Sequence, residues 1–374
     1  MQTVTIAEAR IDGDTLSVTW SDGTRHRFHA LWLRERSDSP DNRDPGTGLR
    51  VTQAAFLPLD LKITAAEVDA AGTLHLAFSD GHACGYAAGD LWRCAVHLWP
   101  DDLVGEKDLW DGSLTDVPEM SFPRLLDEER AVLELLDATA RCGFVMVRDI
   151  PVEEGALEAF AERVGPIRTT NWGRITDVRN MENPYDLTMT SRSLSPHADN
   201  PYRLPGPGYI FLECFRMSEV GGESTIVDGF CAAHRLRAAD PEAFQVLTQV
   251  APGFRHAEDE AILEHAGPLI ELGYDGGVRR IRYSNRTEQV PPLEPALLAR
   301  YYAARRAFAD LIFAPEMTLT IKLKPGDGMV LDNFRLLHGR TAFDPATGDR
   351  HLRHCYMDRD VVSSRQKVLL RRFG

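Results

Sequence analysis

The sequence predicts a mainly β chain with flanking helices, in which residues 1–100 form a small β-rich domain, 101–120 a linker and 121–374 a larger domain. Short period-two segments closed by turn residues fill the first hundred positions. Apolar runs of strand length recur in the remainder, where three stretches have the length and period of helices. With 374 residues and 43% hydrophobic content, the chain can fill one large core and one smaller one.

Thr15 to Trp20 alternates and ends at Ser21-Asp22-Gly23, and Thr73 to Phe78 with Ser79-Asp80-Gly81 shows the same pattern. Otherwise the chain reads as free of internal repeats and low-complexity tracts. Pro100 to Pro118 is polar, lacks a long periodic run and reads as the linker. Arg124 to Arg141 predicts a helix with Leu125, Val132, Leu133, Leu135 and Leu136 in its apolar stripe and Gly143 placed to end it. Phe144 to Val147 follows as a buried strand. Glu153 to Val164 predicts a second helix and Glu294 to Phe313 a third, with Tyr301, Phe308 and Ile312 on its inner face. Tyr209 to Leu212, Thr318 to Leu323 and Gly328 to Leu331 read as strands.

The formal charge of −14 and the lack of a Lys/Arg run argue against a nucleic-acid partner. Met1-Gln2-Thr3-Val4-Thr5 does not begin a basic and apolar leader, and nowhere do about 18 apolar residues run together. The expectation is a soluble cytoplasmic protein with no membrane partner. The six cysteines (Cys84, Cys94, Cys142, Cys214, Cys231 and Cys355) are scattered, with no Cys-x-x-Cys pair, and read as reduced thiols packed as small hydrophobes.

Candidate chemistry centres on Ser195-Pro196-His197-Ala198-Asp199-Asn200. In extended chain, side chains two apart share a face, so His197 and Asp199 can grip one metal ion. With 12 His and 56 acidic residues, His-x-acid arises about twice by chance, and it recurs at His256-Ala257-Glu258, where the acidic run argues for a surface histidine. The first copy gains weight from His338, which follows a strand and the turn Asp332-Asn333-Phe334. Two imidazoles and one carboxylate with open positions suit a non-haem Fe(II) oxygenase. Arg350, about one hairpin later, can hold a carboxylate in a two-pronged contact, which completes a site for iron plus 2-oxoglutarate.

From about Phe122 onward, His197-Ala198-Asp199-Asn200-Pro201-Tyr202-Arg203, Gly221-Gly222-Glu223-Ser224, Leu337-His338-Gly339-Arg340 and Arg350-His351-Leu352 resemble, in the same order, the gamma-butyrobetaine hydroxylase branch of the Fe(II)/2-oxoglutarate dioxygenases. The resemblance implies a double-stranded β-helix, or jelly roll. It also implies O2 as oxidant, ascorbate as activator and a homodimer. It puts the distal carboxylate of 2-oxoglutarate on Arg350, with Ser224 as hydroxyl donor and Arg353 as the runner-up anchor; Arg340, close after the ligand, reads as pointing to the other face of an extended segment and as supporting. In relatives, three cysteines and a later histidine of the N-terminal module bind zinc. Ser37, Ser39 and Asn42 stand at the cysteine positions here and His82 at the histidine, so no structural zinc is expected.

The activity implied is oxidative decarboxylation of 2-oxoglutarate coupled to hydroxylation of a small zwitterion. A quaternary ammonium has no N–H and is held by aromatic faces, each worth up to about 2 kcal/mol when desolvated. The family's aromatic cage maps onto Trp172 and Tyr356, with Tyr202 beside them, while Met189 replaces a cage tyrosine of the carnitine-forming relatives. Asn285 and Arg286 would meet the anionic end. Asp186 stands where those relatives carry asparagine, and two carboxylates repel unless one is protonated. A phosphonate can keep one P–OH near neutrality. The leading expectation is therefore 2-trimethylaminoethylphosphonate, hydroxylated at the carbon next to phosphorus, with gamma-butyrobetaine hydroxylation to L-carnitine as the alternative. Two other classes compete: a metal-dependent module that binds a small molecule without turnover, and hydrolysis at a metal-activated water.

Overall fold

A computed structural model describes residues 4–96, 102–182 and 186–373. The chain divides into two compact units, 1–100 and 101–374. Residues 97–101, which hold the predicted domain boundary, lie outside the described residues.

In the first unit the strands Ile6–Asp12, Thr15–Trp20 and Arg25–His29 form one antiparallel sheet and Ile63–Val68, Thr73–Phe78 and Ala83–Ala87 another. Each sheet is followed by a helix, Ala30–Arg36 or Ala88–Val96. Leu16 and Leu74, Val18 and Leu76, Trp20 and Phe78, Phe28 and Tyr86, and Leu33 and Leu91 are matched at one constant spacing, and all are buried in a shared core. The unit is thus a duplicated strand-strand-strand-helix element, which corrects the expectation of no internal repeat. What the two copies share is the inward alternation and the Ser-Asp-Gly turn, where Gly23 and Gly81 both adopt φ 84°.

Ser37, Ser39, Asn42 and His82 come together in this unit. His82 Nε2 lies 2.9 Å from Ser37 Oγ and 3.4 Å from Ser39 Oγ, its Nδ1 lies 3.1 Å from Asp41 Oδ2, and Asn42 Nδ2 donates to the Ser37 carbonyl at 2.5 Å. Hydroxyls and an amide therefore satisfy one another where a zinc site needs thiolates, and this donor set does not fit the metal.

Two sheets face each other in the second unit. One has the spatial order Leu194–His197, Leu336–Arg340, Ser224–Asp228, Thr318–Ile321; the other runs Glu119–Ser121, Phe144–Arg148, Gly328–Asp332, Tyr209–Arg216, His351–Met357, Thr176–Arg179. Phe144, Met146, Ile210, Ile226, Met329 and Leu336 fill the space between them. Alternation along Tyr209–Arg216 sends Ile210 inward and Tyr209 and Phe211 to a second cluster, shared with the helices Glu129–Cys142, Ala156–Val164 and Arg359–Phe373. The helices Gly229–Ala239, Pro241–Gln249 and Pro295–Ile312 share a third cluster with Val227 and Leu337 on the outer face of the smaller sheet. This is the jelly roll. Among the described residues, no helix is long and apolar enough to cross a membrane.

Two boundaries differ from expectation. The predicted helix over 124–141 is two helices, Phe122–Asp127 and Glu129–Cys142, because Glu128 is extended between them; Gly143, at φ 83°, ends the second. The stretch read as a linker is built into the second unit. Leu103 and Trp110 are buried, and Trp110 Nε1 donates to the Cys142 carbonyl at 2.7 Å. Arg335, paired with Asp228 at 2.7 Å with both side chains at most 1% exposed, also donates to the carbonyls of Arg141 and Asp108. The stretch keeps exposed polar side chains such as Glu106, Ser113 and Asp116, while Leu103, Trp110 and backbone groups bonded to Arg335 tie it to the core.

Candidate metal and cosubstrate site

Pairing of Leu194–His197 with Leu336–Arg340 sets His197 opposite His338, with ring centroids 4.5 Å apart. Asp199 Oδ1 lies 3.4 Å from His197 Nε2 and 3.6 Å from His338 Nε2. Among the described residues, this is the one group of three metal-ligating side chains whose donor atoms lie within 4.8 Å of one another. His197 Nδ1 donates to the Ser195 carbonyl at 2.9 Å, which leaves the Nε2 lone pair free toward the centre. Asn333 clamps the Asp199 backbone: Asp199 N donates to Asn333 Oδ1 at 2.8 Å, and Asn333 Nδ2 donates to the Asp199 carbonyl at 3.0 Å. The Tyr356 hydroxyl donates to Asp199 Oδ2 at 2.8 Å, turning Oδ1 to the histidines. Burial and the neighbouring His338 lower the His197 imidazole to about 4. Against the upward push of burial, His338 and His197 hold the Asp199 carboxyl well below the usual range. A neutral imidazole and an ionised carboxylate are the states that ligate a divalent cation, so this donor set fits Fe(II) with positions left open.

A cavity runs from this group between the sheets, lined by Leu212, Ser224, Met329, Arg340, Arg350 and Leu352. Arg350 is buried, its Nε donates to the Gly222 carbonyl at 3.2 Å, and no acidic side chain among the described residues pairs with it. Burial lowers it to about 10, so it remains a cation at neutral pH, with room for a ligand carboxylate. Arg340, two residues from His338, shares its face, not the opposite one expected, and grips the carbonyls of Leu187, Thr188, Thr190 and Arg192, the Thr188 bond at 2.8 Å. Arg353, the runner-up anchor, does not line this cavity. Alternation along His351–Met357 turns it to the opposite face, 3.5 Å from Glu158 and 3.6 Å from Asp177.

A second cavity opens beside Asp199, with Trp172, Tyr202, His256 and Tyr356 among its walls and Asp186, Met189 and Arg286 around them. His256 is not the surface residue expected: it stacks on Tyr202 at 5.1 Å and meets Trp172 edge-on at 5.3 Å. Arg203 lies over the Trp172 ring at 4.9 Å. Asn285 is exposed and accepts from Arg305 at 3.0 Å, so it does not line the cavity. Asp186 Oδ1 accepts from Thr188 N at 2.8 Å, capping the turn Leu187–Met189, and lies 3.3 Å from Arg286 Nη1. The carboxylate is countered within the chain, which removes the bare repulsion assumed in favour of a phosphonate.

A buried arginine with no acid partner among the described residues, lining one cavity with two imidazoles and a carboxylate, is the arrangement of the Fe(II)- and 2-oxoglutarate-dependent dioxygenases. Residues 111–356 match the Taurine catabolism dioxygenase TauD, TfdA family, to which the chain belongs, and residues 7–91 match the family Gamma-butyrobetaine hydroxylase-like, N-terminal. The chain is 34% identical to Gamma-butyrobetaine dioxygenase of Pseudomonas sp. (strain AK-1), over 98% of this chain and 96% of that one. It is 28% identical to Trimethyllysine dioxygenase, mitochondrial, of Gallus gallus, over 96% of this chain and 87% of that one. In fold it is similar to a putative alpha-ketoglutarate-dependent taurine dioxygenase from Burkholderia xenovorans, with a TM-score of 0.52 and 16% identity over 67% of this chain and 92% of that one. The chain is accordingly a 2-oxoglutarate-dependent dioxygenase that uses Fe(II).

Proposed function

We propose that this enzyme hydroxylates a C–H bond of a small trimethylammonium zwitterion, with gamma-butyrobetaine, giving L-carnitine, as the leading substrate. The observation that carries the reading is the second cavity, which has aromatic walls from Trp172, Tyr202 and Tyr356, a cation at Arg286 and a border with Asp199. Aromatic faces suit a quaternary ammonium, which offers no hydrogen to donate. The identity to the Pseudomonas Gamma-butyrobetaine dioxygenase supports a carboxylate at the other end.

In this reading His197, Asp199 and His338 hold Fe(II), and Arg350 with Ser224 holds the distal carboxylate of 2-oxoglutarate. Bound there, iron, cosubstrate and dioxygen supply the oxidation that converts C–H to C–OH with release of succinate and carbon dioxide. The chain contributes positioning: Tyr356 and Asn333 fix Asp199, Arg340 holds the 187–192 backbone, and the aromatic walls orient the substrate. One observation favours a second reading, 2-trimethylaminoethylphosphonate. Among the described residues both contacts of Asp186 fall on Oδ1, so Oδ2 can accept from a P–OH while Arg286 meets the remaining charge. A homodimer acting in the cytoplasm completes the proposal, and solution scattering with fractionation tests it.

The test is hydroxylated product and succinate formed by purified enzyme with Fe(II), ascorbate and 2-oxoglutarate on each zwitterion. Preferential coupled turnover of gamma-butyrobetaine is expected. Coupling to the phosphonate alone would install the second reading, and coupling to neither would remove both.

A further inference from the structure

Arg350, Leu352, His354 and Tyr356 succeed one another at period two on the interior face of one chain segment. Arg350 presents a cation, Leu352 an apolar wall, and Tyr356 a hydroxyl to Asp199. His354 alone has no task. Among the described residues its Nε2 is buried without a hydrogen-bond partner, its ring stands edge-on to Tyr356 at 4.9 Å, and it lines both cavities where they meet beside Asp199. An unbonded buried ring nitrogen is costly, and the cost is relieved when a ligand supplies the partner.

We propose that His354 Nε2–H donates a hydrogen bond to the keto-acid carboxylate of bound 2-oxoglutarate, at the boundary with the substrate cavity. Arg350, His354, Asp199 and His338 line one cavity, so a cosubstrate whose distal carboxylate meets the long Arg350 side chain directs its other end toward Asp199 and His354. A charged acceptor there gives a strong, directional bond. The bond fixes the reactive end of the cosubstrate against the substrate wall, so its loss permits cosubstrate consumption without product. This inference rests on reading the first cavity as the cosubstrate site.

Calorimetric titration of 2-oxoglutarate into the Mn(II)-loaded full chain tests both ideas separately. His354→Leu should weaken binding at least about tenfold, and His354→Gln, which keeps an N–H donor, should restore most of it. With Fe(II), the ratio of succinate to hydroxylated product should rise in His354→Leu and fall back in His354→Gln. Wild-type affinity in His354→Leu, alongside weakened binding in Arg350→Met, would overturn the hydrogen bond and leave the cavity reading intact. Equal weakening by Leu and Gln would also overturn it, assigning the effect to ring shape. Wild-type affinity in Arg350→Met as well would remove the cavity reading and the proposal with it.

Discussion

The Tyr356 hydroxyl occupies one oxygen of Asp199, at 2.8 Å, and so aims the other at His197 and His338. Tyr356→Phe keeps the aromatic wall and removes that bond. Partners that orient a metal ligand are typically worth about 10- to 100-fold in metal affinity or activity. The Fe(II) dependence of succinate formation should shift to higher iron by a factor in that range. An unchanged iron dependence would deny Tyr356 a part in orienting the carboxylate.

Arg350 and Arg353 lie three positions apart and face opposite sides of the sheet. Arg350→Met should raise the KM for 2-oxoglutarate at least about tenfold, as expected for losing charged hydrogen bonds. Arg353→Met should leave that KM unchanged and act on stability instead, since it strips a counter-charge from Glu158 and Asp177. Steady-state kinetics with varied cosubstrate separates the two, and the reverse pattern would return the anchor to Arg353.

Glu213 predicts a pH dependence of stability. It is fully buried opposite Arg353. Burial pushes its carboxyl up to about 7 from an ordinary 4.5, with Arg353 opposing and Glu158 adding to the rise. The folded state therefore binds the proton more tightly than the unfolded state. Its stabilising contribution is complete below the ordinary value and is lost as pH rises through about 7, in total about 3 kcal/mol. Glu213→Gln should flatten the fall in Tm between about pH 5 and about pH 8. A variant whose Tm falls in parallel with the parent would contradict this account.

The Ser37, Ser39, Asn42 and His82 knot should make the N-terminal unit indifferent to metal. Prolonged chelation is expected to leave its melting transition in place. His82→Ala removes the bonds to Ser37 and Asp41 while Ser39 still bonds Ser37, and should lower stability by about 1 kcal/mol. A chelator-sensitive transition, restored by zinc, would contradict the assignment.

Much of the site was legible because its residues cluster in sequence. His197 and Asp199 declare a shared face by their spacing, and Arg350 stands in a local motif. Where the reading failed, contacts between distant segments decided the outcome. His256 reaches the second cavity because Gly253–Glu258 crosses beside Tyr202, a placement that its acidic neighbours conceal. Asp186 caps Thr188 and pairs with Arg286, one hundred positions away, a contact that its local sequence does not show. Arg353 and His354 are different: period-two alternation from Tyr356 suffices to turn the first outward and the second inward. In the N-terminal unit, the Ser-Asp-Gly turn signalled a duplication whose variable outward residues hid it.

The most direct test of the account is the stoichiometry of succinate against hydroxylated zwitterion, in the parent enzyme and in Asp199→Ala. The account predicts nearly one succinate per hydroxylated gamma-butyrobetaine in the parent, strictly dependent on Fe(II) and 2-oxoglutarate, and no turnover in Asp199→Ala. Zwitterion binding without succinate from the parent, or turnover that proceeds without 2-oxoglutarate, would contradict it.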